Sequence, residues 1–281
     1  MKSLFCLAPA KINLTLQVLR KREDCYHEIY SLFQKVSLFD ELEIERERPS
    51  FELIFECDEE IELEKNLLYK AWRLFKNTFQ VKEEIKIWVK KRIPLGAGLG
   101  GGSSNAGTLL KNLAKLYEIE RAKLFPIAVS LGADVPFFLE DLFAAEATGI
   151  GEILKPFPSF SVYYLLLYPG FKIDTAWAYH TLNLTKEKNP IKYEASLPPW
   201  EKKEGLLNDF KGLLYKKYPL YEDLERALKE VGAKGVSISG TGSTLFGVFE
   251  KLPTNAYLRL KKFLKGGKIF LVKNLNGSGG N

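Results

Sequence analysis

The chain holds only two histidines, His27 and His180, and three cysteines, Cys6, Cys25 and Cys57, among 281 residues. Two histidines cannot build a histidine-rich metal centre, so any metal is a hard cation held by oxygens and phosphates. An odd number of cysteines with no CxxC spacing excludes a disulfide framework and a zinc–thiolate site, and points to a reducing cytoplasm. No apolar run approaches the ~18 residues of a membrane helix; the longest, Val162 to Tyr168, is strand-sized. The apolar stretch before Ala8 is too short for the core of a secretory signal, and it reads as the start of a first strand. What is present is balanced. Hydrophobic residues make up 46% and charged residues 27%, the ordinary range of a globular chain. A net charge of +6 permits anionic ligands without demanding nucleic acid.

The length suits two domains. Ile12, Leu14, Leu16 and Val18 alternate with polar residues, as do Phe51, Leu53, Phe55 and Cys57, and Ile85, Ile87 and Val89. That period of two predicts strands. Helical spacing predicts helices over 66–79, 104–117 and within 121–131, the last closed by Gly132. Extended segments recur at 143–147 and 162–168, followed by a helix at 221–231, strands at 235–239 and 245–249, a helix at about 255–264 and a strand at 268–273. The order is α+β rather than strict βα alternation. The turn-rich Lys155-Pro156-Phe157-Pro158-Ser159 marks the best boundary. It divides the chain into 1–154 and 155–273, with 274–281 as a flexible Gly/Asn tail.

Chemistry concentrates in Pro94-Leu95-Gly96-Ala97-Gly98-Leu99-Gly100-Gly101-Gly102-Ser103-Ser104. Its glycines let backbone N–H groups approach a ligand without Cβ clashes. A strand precedes it and a helix follows, so orphan N–H donors and the positive end of a helix dipole make a phosphate cradle. A Walker loop is excluded because no lysine precedes the serines. A dinucleotide fingerprint lacks its acidic residue at the end of a second strand.

Two further segments accompany this loop in order and spacing: Pro9-Ala10-Lys11-Ile12-Asn13-Leu14 and Ser239-Gly240-Thr241-Gly242-Ser243-Thr244. Together the three resemble the motifs of GHMP kinases, which phosphorylate small-molecule alcohols with ATP. Asp24-Cys25-Tyr26-His27-Glu28, Leu131-Gly132-Ala133-Asp134-Val135-Pro136 and Pro169-Gly170 with Ile173 and Thr175 extend the likeness from Pro9 to about Phe249. Cys25 stands where the family usually has glycine.

The resemblance implies a two-domain α+β fold, with an N-terminal domain like domain 2 of ribosomal protein S5 and a ferredoxin-like C-terminal domain. It implies an active site in the cleft between them, ATP as donor, and Mg²⁺ with Ser104 as a candidate contact. It places Asp134 at the catalytic base and Lys11 at the lysine that pairs with it. It assigns nucleotide binding to Pro94, Gly96, Gly98, Leu99, Gly100, Gly101, Gly102, Ser103 and Ser104, and an adenine pocket to Asn66, Leu67 and Lys91. It implies a cytidine-diphosphate alcohol as the second substrate, held by Asn13, Tyr26, His27, Tyr179, Thr241, Gly242 and Ser243. In that picture the cytosine lies between Tyr26 and Tyr179 while His27 reads its edge. No nucleic acid, membrane or protein partner is implied. The rival readings are another small-alcohol kinase of the homoserine or mevalonate type, and a non-catalytic RNA-binding module. The second lacks a clustered basic stripe with interleaved aromatics.

Overall fold

The computed structural model describes residues 3–57, 61–182, 184, 187–254, 256–264 and 266–276. In chain order the first half contains β1 (Ser3–Lys21), β2 (His27–Arg48), β3 (Glu52–Glu56), α1 (Leu67–Phe79), β4 (Glu84–Lys90), α2 (Gly101–Leu116), α3 (Phe125–Leu131) and α4 (Val135–Leu139). The second contains β5 (Ala144–Thr148), β6 (Ile153–Pro156), β7 (Tyr163–Tyr168), α5 (Thr175–Thr181), α6 (Lys211–Lys217), α7 (Leu220–Glu230), β8 (Gly235–Ile238), β9 (Leu245–Phe249), α8 (Ala256–Lys261) and β10 (Lys268–Lys273).

These elements form two compact units. One comprises Met1–Ala10, Leu38–Pro94 and Gly100–Leu142; the other comprises Lys11–Ser37, Leu95–Leu99 and Phe143–Asn281. A boundary at residue 155 cuts the chain once, whereas these units interleave, because β1, β2 and the glycine loop each contribute residues to both. The expected tail begins at 274, yet Asn274 donates from its N–H to Val162 O and Leu275 to Lys35 O. The rest of it, 277–281, lies outside the described residues.

In the first unit, β4 pairs antiparallel with the second half of β2 (Leu42 opposite Val89, Ile44 opposite Ile87) and parallel with β3. Leu42, Ile44, Ile85, Ile87 and Val89 point to one face, where Leu68, Trp72 and Phe75 of α1 and Leu109, Leu110 and Leu113 of α2 close the core. The period-two and period-3.6 patterns thus meet on a shared apolar layer.

In the second unit, the first half of β2 pairs with β5, and β5 with β6. A separate four-stranded sheet runs β10-β7-β9-β8 with every neighbour antiparallel. With helices between β7 and β8 and between β9 and β10, this is the β-α-β-β-α-β arrangement of a ferredoxin-like layer. Leu224, Ala227 and Leu228 of α7 and Leu260 of α8 fill its core with Leu165, Leu167, Ile238 and Leu245.

Two readings of the sequence are corrected here. Lys155-Pro156 is strand rather than turn: Pro156 ends β6, opposite Ala145. An edge position tolerates proline because no partner needs its missing N–H. Helix α2 starts at Gly101, three residues before the predicted Ser104.

Candidate active site

The glycine loop takes its shape from three left-handed residues, Gly96, Gly98 and Gly100, at φ +64°, +75° and +69°. Gly100 is the N-cap of α2. The N–H groups of Gly101, Gly102 and Ser103 therefore open the first turn without i−4 carbonyl partners. Gly101 itself is helical, so what excludes a side chain there is space: a Cβ would lie 3.0 Å from Ile93 Cγ2 and 3.2 Å from Lys91 Nζ. At Gly102 a Cβ would meet Leu67 Cδ1 at 3.5 Å. The start of α1 thereby lies against the start of α2, with Asn66 capping α1 by accepting from Leu68 N at 2.9 Å. Ser104 Oγ is buried and has no hydrogen-bond partner. A buried hydroxyl without a partner at a helix start fits a phosphate oxygen or a phosphate-bound cation. Among the described residues no group of three or more His, Cys, Asp or Glu could hold a metal ion.

Lys91 Nζ bonds Asp40 Oδ2 and Asn105 Oδ1, the latter at 3.1 Å. Its ammonium is thus held beside Gly101 rather than extended toward solvent. Asp134 sits at the N-cap position of α4, partly buried, and its side chain makes no capping hydrogen bond. The plain structural role of a helix-capping aspartate is therefore not the one it fills. Gly107 of α2 positions it, because a Cβ there would come within 2.6 Å of Phe138 Cβ and 2.9 Å of Val135 O. Only glycine lets α4 lie this close on α2.

In the second unit, the polar face of β1 is not solvated as the alternation predicts. Lys11, Asn13, Thr15 and Gln17 are all buried, Lys11 to 3% exposure. The segment 191–209 covers the last two of these: Thr15 Oγ1 donates to Leu207 O, and Gln17 exchanges two hydrogen bonds with the Ile191 backbone. Lys11 Nζ donates to Asn13 Oδ1 at 2.6 Å and lies 4.5 Å from the centroid of Phe33. Asn13 Nδ2 in turn donates to Ser31 Oγ at 2.9 Å. Burying an ammonium costs free energy unless such partners or an anion face it.

The late Ser-Gly-Thr-Gly-Ser-Thr loop holds this assembly together. Ser239 Oγ donates to Gly98 O at 2.8 Å and accepts from Asn13 N at 3.2 Å. Thr244 N donates to Ala97 O at 3.1 Å, and Lys11 N to Leu99 O at 3.0 Å. Thr241 Oγ1 and Thr175 Oγ1 are 3.2 Å apart. Ser243 is fully buried, its hydroxyl spent on Phe171 O, and Gly242 packs under Ile173 and Leu214. Asn208 and Asp40 are residues that motif reading passes over, and Ser239, though it opens the third motif, has no role assigned there. Asn208 Nδ2 donates to Ile238 O and Gly240 O, fixing the loop from below. A Cβ on Gly98 would stand 2.2 Å from Ser239 O and 2.7 Å from Gly242 O. Gly98→Ala should therefore cost about 1–2 kcal/mol in φ strain alone, with the clash added, and a lowered midpoint in urea unfolding checks it.

His27 and Tyr179 come together, with ring centroids 4.9 Å apart at 29°, and Phe210 meets Tyr179 edge-on. Tyr26 does not join them; it is 58% exposed. His27 lies on one face of Tyr179. Burial, with a smaller contribution from Lys21, pushes the His27 imidazole below its ordinary value, so the ring is neutral at pH 7 and can both donate and accept. The preceding turn is strained, since Cys25 takes φ +67°. Cys25→Gly should stabilise the chain by about 0.5–1 kcal/mol, the left-handed cost less the added entropy of the unfolded state. Denaturant melts would show it.

Residues 66–141 match the model for the GHMP kinases N terminal domain, and residues 195–266 match GHMP kinases C terminal. The chain belongs to the GHMP kinase family, and its mixed helix and sheet units are the two-domain fold of that family. Within it, a 4-diphosphocytidyl-2-C-methyl-D-erythritol kinase of Thermodesulfovibrio yellowstonii is 39% identical over 92% of this chain and 94% of its own length. A crystal structure of 4-(cytidine 5'-diphospho)-2C-methyl-D-erythritol kinase superposes with a TM-score of 0.81 at 34% identity, covering 98% of this chain and all of that one. A homoserine kinase from Cytophaga hutchinsonii shares the fold, with a TM-score of 0.67, 18% identity, and 99% and 96% of the two chains covered.

Proposed function

We propose that this chain transfers the γ-phosphoryl group of ATP to the 2-hydroxyl of 4-diphosphocytidyl-2-C-methyl-D-erythritol, a step in isoprenoid precursor synthesis by the non-mevalonate route. The observation that carries the reading is the 39% identity to a kinase of that name across nearly the whole of both chains. The homoserine kinase shares only the fold at 18% identity.

The chemistry follows from the residues. Phosphoryl transfer needs the acceptor hydroxyl in line with the γ-phosphorus and its proton removed as the bond forms. Asp134 takes that proton; the new O–P bond forms as the γ-phosphorus separates from the bridging oxygen, and ADP leaves with the electron pair. Lys11, buried and charged, offsets negative charge on the transferring oxygens. The N–H groups of Gly101, Gly102 and Ser103 and the dipole of α2 receive the phosphates. Asn66, Leu67 and Lys91 belong to the nucleotide side of the site, and Leu67 and Lys91 lie against the opening of α2, where the adenine side adjoins the phosphates. Bound with the nucleotide, Mg²⁺ would neutralise phosphate charge; Ser104 Oγ is the protein group that fits it, with phosphate and water completing the shell.

For the second substrate, cytosine enters at the His27–Tyr179 stack, Tyr26 closes over it from its exposed position, and neutral His27 reads the edge. Asn13 and Thr241 line the path of the diphosphate and alcohol, while Gly242 and Ser243 shape that loop from within. The division at about residue 155 is retained as the boundary between the two family halves. A cytoplasmic location is supported by the free thiols of Cys6, Cys25 and Cys57. No described helix is long and apolar enough to cross a membrane. Calorimetric titration of CDP and of UDP tests the substrate reading: CDP should bind at least about tenfold more tightly, and equal affinities would contradict it.

A further inference from the structure

Asp40 interrupts the inward row Leu38, Leu42 and Ile44 of β2 with a charge. Its side chain is 0% exposed. Four donors meet its carboxylate: Lys91 Nζ and Asn105 Nδ2 on Oδ2, and the backbone N–H groups of Arg92 and Ile93 on Oδ1, the last three at 2.8–2.9 Å. A buried ion pair of this kind is seldom more stable than well-packed apolar residues of the same volume. Stability is therefore a poor reason for it, and its partners suggest a better one. Three of the four groups Asp40 holds bear on the opening of α2. Lys91 Nζ stands 3.2 Å from where a Cβ on Gly101 would be, and Ile93 Cγ2 at 3.0 Å from the same point. Asn105 lies in the first turn but one and bonds both members of the pair.

We propose that Asp40 is a positioning residue for the phosphate end of the nucleotide, fixing Lys91, Ile93 and Asn105 so that the first turn of α2 is set before ATP arrives. The inference rests on the reading that this turn receives the phosphates. An ammonium beside a helix N-terminus is unfavourable on its own, because the dipole there is positive. Asp40 makes that placement tolerable on one side, and an incoming phosphate is attracted by both positive groups on the other. The unpartnered Ser104 Oγ belongs to the same turn. Without the carboxylate, Lys91 is free to swing and the Arg92–Ile93 amides lose their acceptor. The turn would then be ordered only on binding, and affinity falls by that cost.

The test is calorimetric binding of ADP and, separately, of CDP to the full chain, at temperatures where melting curves show each variant folded. Asp40→Asn puts an amide donor against Lys91 and Asn105. It should raise the ADP Kd by about ten- to a hundredfold and leave the CDP Kd within about twofold. Asn105→Ala keeps the ion pair and should raise the ADP Kd by about three- to tenfold; it decides the matter by the same criterion should Asp40→Asn not fold. ADP binding within twofold of the unaltered chain overturns the inference. So does an equal loss for both ligands, which marks a merely structural role. Failure of the unaltered chain itself to bind ADP would instead sink the kinase reading and the inference with it.

Discussion

Asp134→Asn should lower kcat by about 100- to 10,000-fold while leaving the Kd for ATP close to that of the unaltered chain. The amide matches the carboxylate in shape but cannot accept the hydroxyl proton as the O–P bond forms. Asp134 makes no capping hydrogen bond to α4, so the start of that helix does not depend on the charge for its cap. The segment Val135–Leu139 behind it is buried and rests on Gly107. A melting curve of the variant separates lost chemistry from lost structure. A variant retaining more than about a tenth of the kcat would remove Asp134 from the role of base.

The second large effect concerns the base end of the alcohol substrate. Tyr179→Ala should cost about 1–3 kcal/mol in kcat/KM for the cytidine substrate, the worth of one stacking face. The KM for ATP should not move. Because Tyr179 also meets Phe210 edge-on, Tyr179→Phe is the control that keeps the packing and the face. His27→Ala should act differently: discrimination between cytidine and uridine substrates falls, since a lost edge contact affects cytosine alone. Burial keeps His27 neutral at pH 7, and this gives the effect a pH dependence. The unfolded chain takes up the proton more readily than the folded one, so His27 contributes its full stability above about pH 6.5 and loses it as pH falls through the depressed folded value. Base recognition depends on the folded state alone, so kcat/KM for the cytidine substrate should decline only as pH falls through the depressed folded value of His27. Steady-state kinetics of the variants across pH 5 to 8 would show an acid-side decline that His27→Ala lacks. If neither variant alters kcat/KM for the cytidine substrate, the base is not bound at this stack.

The three motifs were legible because each is a run of residues whose chemistry is local: glycines with positive φ, a helix start, a lysine in a strand. The interplay between motifs was not legible. Ser239 bonding Gly98 and Asn13 joins positions 141 and 226 apart in sequence, and no local pattern announces it. Strand β2 escaped the sequence reading for a physical reason. Residues 29–36 are buried on both faces, polar Ser31, Gln34 and Lys35 included, so the alternation that marks a half-buried strand is absent. From Leu38 onward alternation returns, and with it a signal that was present and unused: Asp40 occupies an inward position between leucines. Helix α4, at five residues, falls below the length at which a helical period can be recognised. The polar side of β1 misled in the other direction. Its period of two is real, but residues 191–209, with a short 3-10 turn at Pro199–Glu201, cover Thr15 and Gln17 on that side.

The measurement closest to the central claim is ADP release by the purified chain with ATP and, in turn, 4-diphosphocytidyl-2-C-methyl-D-erythritol, homoserine and mevalonate. Phosphorus NMR of the product locates the new ester. Turnover is expected with the first alcohol alone, with a new phosphomonoester on its 2-hydroxyl and kcat/KM at least about a thousandfold above the other two, since a site built to hydrogen-bond a cytosine edge rejects substrates that lack it. Comparable turnover of homoserine or mevalonate, or ADP release with none of the three, would contradict it.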